Sequence, residues 1–285
     1  MLTATEPPTI TVTAAPLEAD ISAKAGAYVR GVLPTPLYGQ YARWADPICI
    51  RVVGLNDDVA ARVAARVTAI AAEAAVPVGK PGFKPNLEVA FTTDAATTTR
   101  IITRKQPRQI ARLNAVQREI LLTAPLAVRW WHGFEVRDRD GQRAVPNGSA
   151  ALMSAGSGGG PPLGSVLPVG PDTVMTDSRS SSLINSSIAV WATSAVVIVD
   201  VTLATGKSLD AVADYAALAA LAPMKLPPPT PGVPSILALF TDGTADALSR
   251  WDRAFLAALY RIPMNRNGNR QRGDITARIA ATMKP

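Results

Sequence analysis

Few residues in this chain combine a reactive side chain with a setting that chemistry could use. Asp200 closes the apolar run Val196-Val197-Ile198-Val199, and Asp214 lies on the helical segment that follows. One carboxylate therefore sits at a strand end and the other on the next helix, and paired carboxylates at a fixed separation serve glycoside hydrolysis. The single histidine, His132, follows Trp130-Trp131 at the end of another apolar segment and would be a lone general base. Each has a plainer expected role. Asp200 would order the turn toward Lys207, Asp214 would be a charge on a helix face, and His132 would be held by aromatic packing.

The remaining inventory excludes more than it offers. With one histidine and one cysteine, Cys49, the chain has no internal disulfide, no cysteine-rich zinc site and no His-Glu-x-x-His helix. No Gly-x-Ser-x-Gly elbow is present, and Ser157 in Gly156-Ser157-Gly158 lies in a Gly/Pro/Ser tract from Gly156 to Gly170 that could not hold its oxygen in place. The glycines of that tract lack the preceding strand and following Lys-Ser/Thr of a phosphate loop. Cys49 lies in an apolar strand and is expected to be buried and inert, with Arg51 turned to solvent. No cofactor is expected.

Charge leaves a binding role open. The formal net charge is +7, which favours acidic partners, nucleic acid or anionic surfaces without choosing among them. The basic residues concentrate at the end, where Arg261, Arg266, Arg270, Arg272 and Arg278 are offset by Asp274 alone. A solvated basic end is the expected reading; a contact surface formed by those five arginines is the functional one. No zinc finger or ribonucleoprotein motif accompanies them. No run of about 18 apolar residues could span a membrane.

These residues need elements to position them. Ile48 to Val53 is β-branched and reads as a strand, followed by a turn with Asn56 or Asp57 as cap. Val59, Val63, Val67 and Ile70 then fall at helical spacing, giving an amphipathic helix over Asp57–Ala75. Leu87–Phe91 is a second strand, paired parallel to the first because a helix joins them. A helical stretch over Asp94–Leu122 is interrupted at Pro107, and Leu126–His132 is a third strand. Two adjacent strands are expected over Leu183–Trp191 and Ser194–Val201. Helices follow over Ser208–Ala222 and from Leu248 to Arg261, and a short one over Asp274–Met283, after a turn at Asn265–Asn269.

Residues 1–25 carry no sustained period and are expected to be flexible, with Thr3 to Pro16 like a linker after a cleaved leader. Residues 26–262 form one α+β domain with a mixed sheet and packed helices. Within it, 133–180 is an irregular insertion with a turn at Asp138–Gly141; residues 263–285 form the basic end. Tyr28, Tyr38, Tyr41 and Trp44 fall within Gly26–Asp46, which is expected to lie as an arm across the domain or to line a peptide groove.

The order of elements resembles the zincin metallopeptidases, and the terminal segment carries the closest likeness. Leu248-Ser249-Arg250-Trp251-Asp252 through Leu259-Tyr260 is similar to the terminal helix of metzincins, and Ser235-Ile236-Leu237 takes the place of their methionine turn. Leu209–Leu218 corresponds to the active-site helix. In that correspondence Ala213 and Ala217 stand where zinc-binding histidines belong, and only Asp214 keeps a carboxylate, at the general-base position. Trp44-Ala45-Asp46-Pro47-Ile48-Cys49 and Val212-Ala213-Asp214-Tyr215 also resemble blocks of alphaproteobacterial envelope or secreted proteins of unassigned function.

The resemblance implies zincin-like architecture without metallopeptidase activity. The resulting expectation is a non-catalytic binding or scaffolding protein, periplasmic or secreted, or otherwise cytoplasmic, with a protein or peptide partner of unknown identity. A metal-independent hydrolase using Asp214 with Asp200 or His132 is the alternative, and a basic nucleic-acid-associated protein a further one.

Overall fold

The computed structural model describes residues 14–80, 82–138, 141, 145–146, 174–175, 188–241, 243 and 245–284. Helix α1 (Ala14–Val32) leads to β1 (Arg43–Trp44) and β2 (Ile50–Val53), followed by α2 (Asp57–Glu73) and β3 (Leu87–Thr92). Then come α3 (Ala95–Lys105), a 3-10 turn at Pro107–Ile110, α4 (Ala115–Thr123) and β4 (Val128–Asp138). Short strands β5 (Val145–Pro146) and β6 (Val174–Met175) pair with each other before β7 (Ile188–Asp200). Helix α5 (Leu209–Leu221), a 3-10 turn at Ile236–Ala238, α6 (Arg250–Arg261) and α7 (Gly268–Met283) complete a mixed α/β fold.

Strand β7 organises the sheet. One of its edges carries β4, antiparallel from Val128 opposite Val199 to Asp138 opposite Ile188. The other is shared by two parallel strands, β1 at Trp191–Ala192 and β3 at Ala195–Asp200, and β2 pairs parallel to β3 outside it. The expected parallel pairing of the first two long strands is thus observed.

Strand alternation sorts the side chains onto two faces. Val128, Trp130, Val197 and Val199 join the main core, which draws on every helix except α3 and α4. Trp131 and Ile198 point the other way, into a smaller cluster with Ala95, Ile110 and Leu121. Helix α5 lies inside the main core: Ala211 to Leu221 are all buried. Its many alanines let the sheet and neighbouring helices approach closely, and Ser208 caps its first turn through the Ala211 N–H.

Several expectations are corrected. The segment expected to be flexible, 1–25, is helical from Ala14 onward, and Ala25, Tyr28, Val29 and Val32 are buried; residues 1–13 lie outside the described residues. The C-terminal helix begins at Gly268, with Asn267 as its cap, where a turn was expected. It is anchored rather than solvated throughout, since Ile275 and Ile279 are fully buried in the main core. Of the irregular insertion, 133–138 is strand and 145–146 pairs with 174–175, while the whole Gly/Pro/Ser tract, Ser157 included, lies outside the described residues.

The two strands expected around Thr193-Ser194 are one. β7 runs through this polar pair because β4 shifts register between Gly133 and Phe134 opposite it. A Cβ on Gly133 would lie 2.3 Å from Ser194 Oγ, so the absent side chain is what makes room for the serine.

Candidate functional site

The carboxylates singled out by sequence do not form a pair. Asp200 lies between β7 and the start of α3: its Oδ2 accepts the Ala95 N–H at 3.0 Å, and its Oδ1 accepts from Thr202 N–H, Thr202 hydroxyl and Leu203 N–H. Burial raises its pKa, but these hydrogen bonds outweigh burial and hold the carboxyl below its ordinary value. The expected turn-ordering role is what the geometry displays.

Asp214, expected as a charge on a helix face, has a different setting. It is fully buried, and Arg66 of α2 grips it in a fork, Nε to Oδ1 at 2.5 Å and Nη2 to Oδ2 at 2.9 Å. Its Oδ2 also accepts the Leu248 N–H at 2.8 Å. The carboxylate therefore ties α5 to α2 and to the entry of α6.

His132 is buried at the C-terminal end of α5, about 9 Å along the helix axis from Asp214 at 1.5 Å per residue. Its Nε2 lies 3.1 Å from the Ala220 carbonyl, which also accepts from Trp44 Nε1 at 3.0 Å. A carbonyl only accepts, so Nε2 carries the hydrogen. Burial pushes the imidazole pKa down to about 4, and the ring is neutral at neutral pH. Tyr260 hydroxyl donates to the Leu221 carbonyl at 2.5 Å. Together these donors satisfy helix-end carbonyls that have no partner within α5.

The remaining candidates are dispersed or only half-buried. Cys49 is half-buried rather than buried, while Arg51 faces solvent, as expected, and pairs there with Glu88. Arg261, Arg270 and Arg278 are exposed, Arg266 is paired with Asp274 at 2.9 Å, and Arg272 is half-buried. Among the described residues, no three His, Cys, Asp or Glu side chains are grouped to hold a metal ion.

A cleft of about 840 Å³ opens beside this framework. Its floor includes Trp130, Trp131, His132 and Phe134 of β4; its walls come from Pro34–Ala42, the Gln109–Gln117 region and Pro223–Leu226. Helix α7 positions the first wall. The Tyr41 N–H donates to Gln271 Oε1 at 2.8 Å and the Gly268 N–H to the Gly39 carbonyl at 2.6 Å. A Cβ on Gly268 would meet Pro36 at 2.7 Å, so the glycine allows this close approach.

The register determines which main-chain groups of β4 face the cleft side. The Asp200 N–H bonds the Ala127 carbonyl, so residues 129, 131 and 133 bond across to β7, while 128, 130 and 132 turn their amides to the outer edge. On β7 the matching groups turn toward β3, as the Ala195 N–H to Asn86 carbonyl bond demonstrates. Among the described residues, no hydrogen bond reaches the outward N–H and C=O of Trp130 or His132.

Two buried side chains lining the cleft also keep unused polar atoms. Gln40 is 1% exposed and spends its Nε2 on the Ile188 carbonyl, leaving Oε1 without a partner. Trp130 is 3% exposed with Nε1 unpartnered. Such groups carry a desolvation cost until something bonds them. Sequence reasoning drew attention to the aromatic stretch 26–46, of which Tyr38 and Tyr41 line the cleft while Tyr28 and Trp44 enter the core. It missed Gln40, Gln109 and Arg112, which carry no local signal.

No protein-family model matches the chain, and neither curated proteins nor solved structures gave a match. Among the described residues, no helix is long and apolar enough to cross a membrane.

Proposed function

We propose that this chain is a non-catalytic binding protein that receives an extended polypeptide along the outer edge of β4. The observation carrying this reading is the run of unpaired main-chain groups at Trp130 and His132 on the floor of the cleft. Strand addition satisfies such groups with the ligand's own amides, and flanking pockets then select alternate side chains. The volume lies in the range of ordinary ligand sites. The non-catalytic part is supported by the structural hydrogen bonds of Asp200, Asp214 and His132, which occupy three separate settings.

The reading extends to a peptidase-like frame without zinc ligands, working in the bacterial envelope or exterior. Its support is the antiparallel edge strand beside β7, the helix directly after β7, and the turn at Ile236–Ala238 before α6. Ala213 and Ala217 are buried on α5, and Asp214 is held by Arg66.

The test is to recover a partner on the immobilised full chain from envelope extracts and follow amide hydrogen exchange in the complex. Slowed exchange at Trp130 and His132 is expected. Binding with unchanged exchange along β4 would exclude strand addition, and capture of nucleic acid alone, released by modest salt, would favour the charge-driven alternative.

A further inference from the structure

We infer that the polypeptide taken by the cleft is acidic, presenting a carboxylate to Arg112; this rests on the reading of the β4 edge as a strand-addition site. A neutral main chain is enough for the edge itself. The two unused side-chain atoms, Gln40 Oε1 and Trp130 Nε1, are sealed from solvent and do not bear on the choice. What a neutral main chain leaves unmatched is charge. Among the described residues, Arg112 and Lys225 are the charged side chains lining the cleft, and no Asp or Glu lines it.

Arg112 is poised for this contact. Its guanidinium lies over the Tyr38 ring, 5.3 Å from the centroid, and Nη1 donates to the Tyr38 hydroxyl at 2.6 Å. That contact orients the fork and uses one of five N–H groups; no other hydrogen bond to Arg112 is made among the described residues. A planar fork held on an aromatic face suits a carboxylate, which it can engage through two parallel bonds. Lys225 donates to the Arg30 carbonyl at 2.8 Å and adds a second positive charge along the same cleft. A basic segment would meet like charge at both.

The experiment exposes the full chain to an oriented library of end-blocked ten-residue peptides, each position fixed in turn as Glu, Gln or Lys, with bound peptides read by mass spectrometry. Matched Glu and Gln peptides are then titrated by tryptophan fluorescence. Arg112 is exposed, so the expected preference for Glu over Gln is modest, about fivefold at low salt. It should shrink as salt is added. Arg112→Gln should erase the preference.

Equal binding of Glu and Gln peptides would overturn the acidic assignment and leave strand addition standing. A Glu preference untouched by Arg112→Gln would overturn the role of Arg112. If no peptide is enriched over a control surface, the strand-addition reading falls and the acidic assignment with it.

Discussion

The Tyr28 hydroxyl donates to Asp252 Oδ1 at 2.8 Å, joining two residues 224 positions apart in the chain. Both are buried, and the Asp252 carboxylate accepts three further bonds: from Ser235 hydroxyl at 2.5 Å, Ile236 N–H at 2.8 Å and Ser249 N–H at 2.9 Å. The last belongs to a capping box in which Ser249 caps α6 and Asp252 reaches back to it. One side chain thus ties α1 to the turn before α6 and to the helix itself. Burial first, and then the neighbouring carboxylate, push the Tyr28 pKa well above its ordinary value, so the phenol stays a donor.

Asp252→Ala should cost about 3–5 kcal/mol, because it strands several buried donors at once. Tyr28→Phe removes one of four bonds and should cost about 1 kcal/mol. Urea denaturation of both variants and the double variant checks this. If Tyr28→Phe costs as much in the Asp252→Ala background as in the wild type, the two are not coupled.

Asp214→Asn should behave as a stability lesion. The carboxylate is fully buried while Arg66 is 36% exposed, so part of the charge stays screened and a loss of about 2–3 kcal/mol is expected. Denaturation of Asp214→Asn, Arg66→Gln and the pair should give a coupling of the same sign. Unchanged stability in Asp214→Asn would mean that the Arg66 fork contributes nothing.

His132 should make stability fall with acid. Below its ordinary pKa of 6.5 the unfolded chain takes up a proton that the folded chain refuses until about pH 4. The unfolded state therefore gains protons first, and stability drops as pH is lowered through that window, by roughly 3 kcal/mol in full. His132→Gln should flatten the profile above about pH 5, before most carboxylates titrate. Denaturation midpoints for wild type and variant between about pH 7 and pH 5 decide it, and parallel profiles would show that the ring is not held neutral.

Gln271 should govern the cleft from a distance. Fully buried on α7, it accepts the Tyr41 N–H and donates to the Pro263 and Met264 carbonyls at 3.3 and 3.1 Å. Gln271→Leu should cost about 2 kcal/mol through these unpaired groups and speed amide exchange at Tyr41. Exchange measured by mass spectrometry would show this. Removal of all residues after Arg261 takes away the same support together with buried Ile275 and Ile279, so it should unfold the cleft wall as well as delete charge.

Much of the local structure was legible because it follows from nearest neighbours along the chain. Val63, Val67 and Ile70 marked the buried face of α2 at helical spacing, and Asn56 was a readable cap. A β-branched run marked β2, alternation marked β3 and an apolar run marked the inner half of β7, and a joining helix implied parallel pairing. A single histidine and a single cysteine left the multi-histidine and cysteine-rich zinc motifs out of the sequence.

Tertiary structure decided the rest, because it depends on partners far apart in sequence. Nothing near Asp214 distinguishes a solvated carboxylate from one gripped by Arg66, 148 residues earlier. The weakly patterned segments at both ends became helices because each supplies an apolar face that the other and α6 help to bury. The outer edge of β4, without main-chain partners among the described residues, is likewise invisible locally: it follows from which strand claims the second side of β7. The sequence by itself determined most of the elements between Ile48 and Arg261; long-range hydrogen bonding and burial decided how they, and the helices at either end, are held together.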